Sequence, residues 1–408
     1  MIWLLTILFT LLPLYLIRFQ IGPIPTTVLE ILVGITIIAW VYIKIKNRDY
    51  SLVKNIPNRN LFLSGAGLFL VGATIGIFIS PNFRAALGEW KAFYFEPIII
   101  GLIVIDCIKS KEDVKKILGG LLLGSLTTAI LGVYQHFTGW LVPHSFWANR
   151  NTYRVTGWYG FPNSVGILLA PLIPLAVYVA IETLKKSKNK ITSKNNYFIL
   201  FLLGLFLIAS PLAIIFAKTT AAMVGLAAGV GILLLCFKKT RLPAIMLGII
   251  GLIGLFIMPN NAITNELLAK DYSGQLRRDI WSETITYLKL HPLVGTGVAG
   301  YTTEIAPLRH NKKIEVFHHP HNIFLTIWVN TGLIGLAGFI ALLTWFYITV
   351  IKNLTSPNHA FAITLLVSMT IWLTMGLVDS PYIKNDWALI FWLFIALTAV
   401  LPRLHKKA

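Results

Sequence analysis

Apolar residues in this chain come in long unbroken blocks, not in the alternation of a half-exposed strand or the narrow stripe of an amphipathic helix. A bilayer core takes roughly 17–25 residues of helix. Blocks near that length fall at 2–17, 26–43, 61–79, 93–108, 117–134, 165–181, 197–217, 221–237, 244–258, 333–351, 360–378 and 387–401. Residues 323–331 are apolar too and read as leading continuously into the tenth block. The pattern predicts an all-α fold: a polytopic transmembrane helical bundle of about twelve spans, forming a single integral membrane domain over 1–408.

Composition supports that picture. Hydrophobic residues make up 56% of the chain and charged residues 12%, against about 25% charged in soluble domains. The net charge of +19 would fit a nucleic-acid binder, but its placement argues against nucleic acid as a partner. Basic residues crowd into the short segments 44–60, 109–116, 185–195 and 238–241 and the tail 403–407, alternating with connections poorer in Lys and Arg. By the positive-inside rule this predicts a multi-pass protein of the cytoplasmic (inner) membrane with both termini cytoplasmic. The first apolar block ends in Arg18 without a small-residue cleavage site, so no cleavable signal peptide is expected. Cys107 and Cys236 fall near cytoplasmic ends of different spans and imply neither a disulfide framework nor a thiol metal site.

Two extracytoplasmic segments are too long to be plain connections: 135–164 and 259–322. Within the second, Ile280, Trp281, Ile285, Leu288 and Leu290 recur at helical spacing, followed by His291-Pro292 and the turn Gly295-Thr296-Gly297. That pattern predicts an interfacial helix and makes 259–322 a structured cap loop. No internal repeat or low-complexity tract is present.

The cap carries the candidate chemistry. His318, His319 and His321 close it just before the membrane, where an imidazole can take a proton from a hydroxyl near neutral pH. Arg277 and Arg278 precede the interfacial helix; a guanidinium matches phosphate oxygens, and at a membrane surface it also serves as a headgroup anchor. If the cap folds back, cation and base meet in one pocket suited to an alcohol attacking while a phosphate leaves. Arg154, with Asn163 at the mouth of the sixth span, and Lys218, between two apolar spans, are further candidates facing the same side. For Arg154 a lipid phosphate is the competing partner, and for Lys218 snorkelling to the headgroups. Zinc on the histidines lacks the fuller ligand set such sites use, with only Glu315 near and no Cys. Glu89, Lys91, Glu96 and Asp379 near span ends are expected to be paired.

His321-Asn322, followed after nine residues by Gly332 and then by Gly335, resembles the histidine signature of the O-antigen ligase family. Arg277-Arg278-Asp279-Ile280-Trp281 with His291-Pro292-Leu293-Val294-Gly295-Thr296-Gly297 is similar to that family's cap, a pattern shared with O-antigen polymerases and protein O-oligosaccharyltransferases. Arg154-Val155-Thr156-Gly157 with Phe161-Pro162-Asn163 is similar to its shorter outer loop. The resemblance implies a metal-independent glycosyltransferase without cofactors. It would move a glycan from a polyprenyl (undecaprenyl) pyrophosphate carrier to an acceptor hydroxyl at the outer face of the cytoplasmic membrane. It implies His321 as base and Arg277 as the clamp on the leaving pyrophosphate, with Arg154, Arg278, Lys218, His319 and Asn322 as substrate-binding residues. The chain departs from the family at Lys218-Thr219-Thr220, where many members have Ser-Arg; lysine supplies the charge without the planar fork. A polymerase would need the same groups, so ligase and polymerase both stand, with a glycan, lipid or protein as acceptor. A transporter of lipid-linked sugars is the rival of another class; it would be expected to place charges mid-bilayer and to show repeated halves.

Overall fold

A computed structural model describes residues 1–22, 24–49, 56–149, 151–189, 194–257, 271–310 and 317–404. Arg150, residues 259–270 and 311–316 of the expected cap, and the last four residues lie outside that set. Apart from a two-stranded hairpin, β1 (Arg18–Ile21) and β2 (Ile24–Thr27), the regular structure is helical. In chain order the helices are α1 (Ile2–Thr10), α2 (Val28–Lys46), α3 (Arg59–Ile79), α4 (Phe83–Glu89), α5 (Glu96–Cys107), α6 (Lys111–Thr138) and α7 (Ser145–Ala148). There follow α8 (Pro162–Leu169), α9 (Ile173–Asn189), α10 (Lys194–Phe216), α11 (Thr220–Leu235) and α12 (Lys238–Ile257). The last five are α13 (Tyr272–Leu290), α14 (Tyr301–Ile305), α15 (Ile323–Lys352), α16 (His359–Gly376) and α17 (Asn385–Val400).

Among the described residues every expected apolar block lies mostly on helical backbone, and eight stretches are long and apolar enough to cross a membrane. The remaining four are interrupted or shorter among the described residues. The first block breaks after Thr10 into a 3-10 turn at Leu12–Leu16, where Pro13 removes a backbone donor. The fourth is bent through a wide turn at Trp90–Phe95 ahead of Pro97. The block on α11 is sixteen residues long, and that on α12 opens on a charged turn with Pro243 inside. The span-end charges are paired as expected at Lys91, whose ammonium meets Glu30 at 3.0 Å, and at Asp379, described below.

The most extensive packing is between α3 and α15, and glycine makes it possible. In a membrane, helices gain little from burying apolar side chains, so small residues that let backbones approach closely take over. A Cβ on Gly72 would sit 2.4 Å from the Gly335 nitrogen, and one on Gly338 2.3 Å from the Phe69 nitrogen. α17 is the most enclosed span, with every residue from Asp386 to Val400 buried.

α15 is not a simple continuous rod. Gly332 sits at φ 65°, ψ −173°, and the helix breaks there. The Val329 carbonyl and the Leu333 amide, which a regular helix would join, are both taken by the segment after α13. Thr296 donates its amide (2.7 Å) and its hydroxyl (3.1 Å) to Val329, and Leu333 donates to Leu293 (3.1 Å). Val298 then bonds the Gly76 carbonyl at the end of α3 (3.0 Å). The run Leu293-Val294-Gly295-Thr296-Gly297 thus plugs the break, and Gly295 and Gly297, both at positive φ, pass where a Cβ would strike backbone.

The helix expected from Ile280 to Leu290 is present and starts earlier, capped by Asp271, which accepts from the Gly274 amide (3.1 Å). Its buried stripe is Ile280, Thr284, Tyr287 and Leu288, packed with Tyr301, Ile305 and Val329, while Ile285 and Leu290 are exposed. The helix docks on protein along one face, and the two remaining apolar residues of the pattern lie on another.

Gly72→Ala should destabilise the fold by about 1–3 kcal/mol through overpacking at the α3–α15 contact. Gly67, with open space around it, should accept alanine without loss. Melting temperatures in detergent check both.

Candidate functional site

The turn after α16, Leu377–Ser380, gathers the residues that the sequence points to. Asp379 is its centre. Its Oδ1 faces His321 Nδ1 at 3.3 Å and accepts the Ser380 amide at 2.8 Å; its Oδ2 accepts the Asn163 amide group at 3.1 Å. Asn163 in turn accepts from Arg154 Nη2 at 2.9 Å. Arg277 Nε donates to the Val378 carbonyl next door at 2.9 Å, and Arg277 Nη1 to Ser273 at 3.1 Å. Imidazole, carboxylate, amide and two guanidiniums therefore converge on one turn from four separate parts of the chain.

Local sequence places each of them. Asn322 caps α15, accepting from the amides of Phe324 (3.0 Å) and Leu325 (3.1 Å), while its own amide group donates to the Leu377 carbonyl (3.0 Å). Its side chain is committed at both ends to backbone, so the structure gives Asn322 a holding position. Just before it, His321 has φ +49°, a left-handed conformation that costs a residue with a Cβ and that recurs at functional sites. Trp281 on α13 fixes the approach by donating to the Pro320 carbonyl (2.8 Å). The cap helix thus orients the histidine turn.

His319 lies beside His321, ring centroids 4.6 Å apart, and its Nδ1 faces the His321 amide at 3.4 Å. Burial, reinforced by the neighbouring His321 and Lys384 charges, lowers its pKa to about 3. It is a neutral acceptor at ordinary pH. Burial pushes the Asp379 carboxyl up, but its hydrogen bond to His321 and that residue's charge outweigh this and hold it well below the usual carboxylate range. An ionised Asp379 is an acceptor, so Nδ1 carries the hydrogen that faces it, and Nε2 is the ring nitrogen left for another partner.

The remaining candidates flank this centre. Arg154 Nε donates to the Ala217 carbonyl (2.7 Å) and Nη2 to the Lys218 carbonyl (3.0 Å), and its guanidinium stacks over Trp147, 5.0 Å from the ring centroid. Lys218 itself has φ +49°. A cleft of about 440 Å³ opens beside them, lined by Trp147, Arg154, Lys218, Tyr272 and Ser273, so Lys218 and the start of α13 face one space. Arg277 is half-buried, whereas Arg278 is exposed one position around the helix. Arg277 Nη2 has no partner among the described residues and is available to an anion.

One arrangement was not legible beforehand. His319, His321 and Asp379 offer one donor atom each within 4.8 Å, enough to hold a metal ion, and the carboxylate comes from a residue 58 positions beyond His321. Lys384 and Asp386 were also not anticipated; a short polar stretch at the mouth of the last apolar block was their only signal.

The family profile described as O-Antigen ligase matches residues 203–340, which include Lys218, Arg277, Arg278, His319, His321, Asn322 and the Gly332 break. The chain is also 28% identical over 258 residues to an O-antigen ligase of Pseudomonas aeruginosa, covering 62% of this chain. The match spans 58% of that relative's length. Together with the apolar helices, these findings indicate a multi-pass membrane protein.

Asn163→Leu would strip a partner from both Arg154 and Asp379. The expected cost is about 1–3 kcal/mol of stability, read as a lowered melting temperature in detergent.

Proposed function

With the O-antigen ligase family supported by both matches, we propose that this chain is a glycosyltransferase of ligase type. It moves a glycan from a polyprenyl-pyrophosphate carrier to an acceptor hydroxyl at the outer face of the cytoplasmic membrane. The observation that carries the reading is the meeting of His321 and Arg277 at consecutive residues of one turn, Val378 and Asp379. A base alone would fit many proteins; a base adjoining a half-open guanidinium fork fits the exchange of an alcohol for a phosphate.

In the proposed step, His321 Nε2 takes the proton of the acceptor hydroxyl, and that oxygen attacks the anomeric carbon of the donor sugar. The bond from that carbon to the pyrophosphate oxygen breaks, and its electron pair leaves with the carrier. Asp379 holds the ring and stabilises the imidazolium that forms. Negative charge develops on the leaving oxygens, so cations placed there lower the barrier more than they tighten ground-state binding. Arg277 is assigned that place, with Arg154 and Lys218 along the cleft and Arg278 as a further donor contact. A single displacement inverts the anomeric centre. The step needs no metal, because guanidinium and ammonium groups supply the charge that a cation would. The same base and clamp serve a ligase or a polymerase, and the acceptor chooses between them.

For topology, we propose one integral membrane domain of about twelve spans with both termini cytoplasmic. The loops 135–164 and 259–322 would then lie on the far side, the latter as a cap. The gathering of charged groups at one end of the bundle supports an enzyme over a transporter, which is expected to hold them mid-bilayer.

The test is transfer of a labelled glycan from polyprenyl pyrophosphate in membranes, with and without chelator. His321→Ala should lower the rate by about 100-fold or more, and Arg277→Ala by a similar factor, with expression unchanged and chelator without effect. Transfer that survives both substitutions would remove the base-and-clamp assignment. Loss of transfer on chelation would move His319, His321 and Asp379 to a metal site.

A further inference from the structure

Next to the site lies a second polar group of residues, centred on Lys384 and Asp386. Lys384 follows the Asp379 turn and immediately precedes α17. Its ammonium donates to Ser164 Oγ at 2.9 Å and lies over two rings, 4.4 Å from the Trp387 centroid and 5.3 Å from Tyr159. Charges this far inside a membrane protein are costly unless they do something. Asp386, fully buried, accepts its own neighbour's amide through Oδ1 and faces the Tyr159 hydroxyl. Lys384 interacts electrostatically with both that carboxylate and Asp379.

Ser164 is the neighbour of Asn163, and Asn163 is the residue that joins Arg154 to Asp379. Lys384 therefore grips, at one remove, the amide that steadies the carboxylate behind His321. The hydroxyls of Tyr159 and Thr128 and the Asp386 carboxylate share the same region, beside the serine-bound ammonium.

We infer that Lys384 is a positioning residue: through Ser164 it sets Asn163 against Asp379 and so holds the His321 ring in its working orientation. This rests on the reading of His321 as the base. The reason for a cation in place of a neutral donor is geometric and electrostatic together. An ammonium can satisfy the serine and offset two flanking carboxylates, whereas an amide or hydroxyl could do only the first. Because it reaches the site through Ser164 and Asn163, its loss should slow the chemical step without weakening donor binding.

Donor titrations in proteoliposomes would compare the native chain with Lys384→Met, Lys384→Arg and Ser164→Ala. Lys384→Met is expected to lower kcat about tenfold or more with donor KM within about twofold, the signature of lost transition-state stabilisation. Lys384→Arg should recover most of the rate, and Ser164→Ala should fall between. Amide exchange read by mass spectrometry needs no turnover: residues 157–166 should exchange faster in Lys384→Met and return to native protection in Lys384→Arg. A raised donor KM with kcat unchanged would make Lys384 a substrate contact and overturn the inference. So would equal loss in Met and Arg variants, or unchanged exchange at 157–166. If the native chain transfers nothing while the exchange pattern follows the prediction, the enzyme reading fails and the positioning of Asn163 stands.

Discussion

The structure depends on a helix that is broken on purpose. At Gly332 the hydrogen-bond ladder of α15 opens, and an unpaired carbonyl and amide at membrane depth would each cost several kcal/mol. They are satisfied by Thr296 and Leu293, so the break can exist only while the segment after α13 is inserted in it. That insertion fixes the cap to the bundle. It also brings the segment against the end of α3, where Val298 meets Gly76, and α3 is held to α15 by glycine-on-glycine contact. The histidine turn is the start of the same broken helix, so its position follows from the plug.

From that frame the site is reached by a short series of backbone attachments. Trp281 on the docked helix holds Pro320, Asn322 caps α15 while gripping Leu377, and Arg277 grips Val378. Most of the polar side chains here bond main-chain carbonyls. This gives rigidity in a region that has little regular secondary structure, and it explains why the strained φ of His321 is tolerated. Asp379 is then the one side chain on which the histidine and the shorter loop's Asn163 and Arg154 converge.

Sequence alone determined the helical, membrane-spanning character, because apolar blocks of bilayer length are a local property that no folding can disguise. It also supplied the candidate residues, since guanidinium, imidazole and the glycine run are recognised by type and spacing. It could distinguish Arg277 from Arg278 only weakly, by distance to Trp281; one step around a helix decides which points inward, and α13 turns Arg277 to the Val378 carbonyl. Only the tertiary structure decided that Asp379 meets His321 and that Lys384 meets Ser164, because these partners lie far apart along the chain and meet through packing that no local pattern encodes. The purpose of Gly332 and of the Gly295-Thr296-Gly297 turn was likewise hidden. Each is intelligible only as the complement of the other, and complementarity between distant backbone groups is a fact of three dimensions.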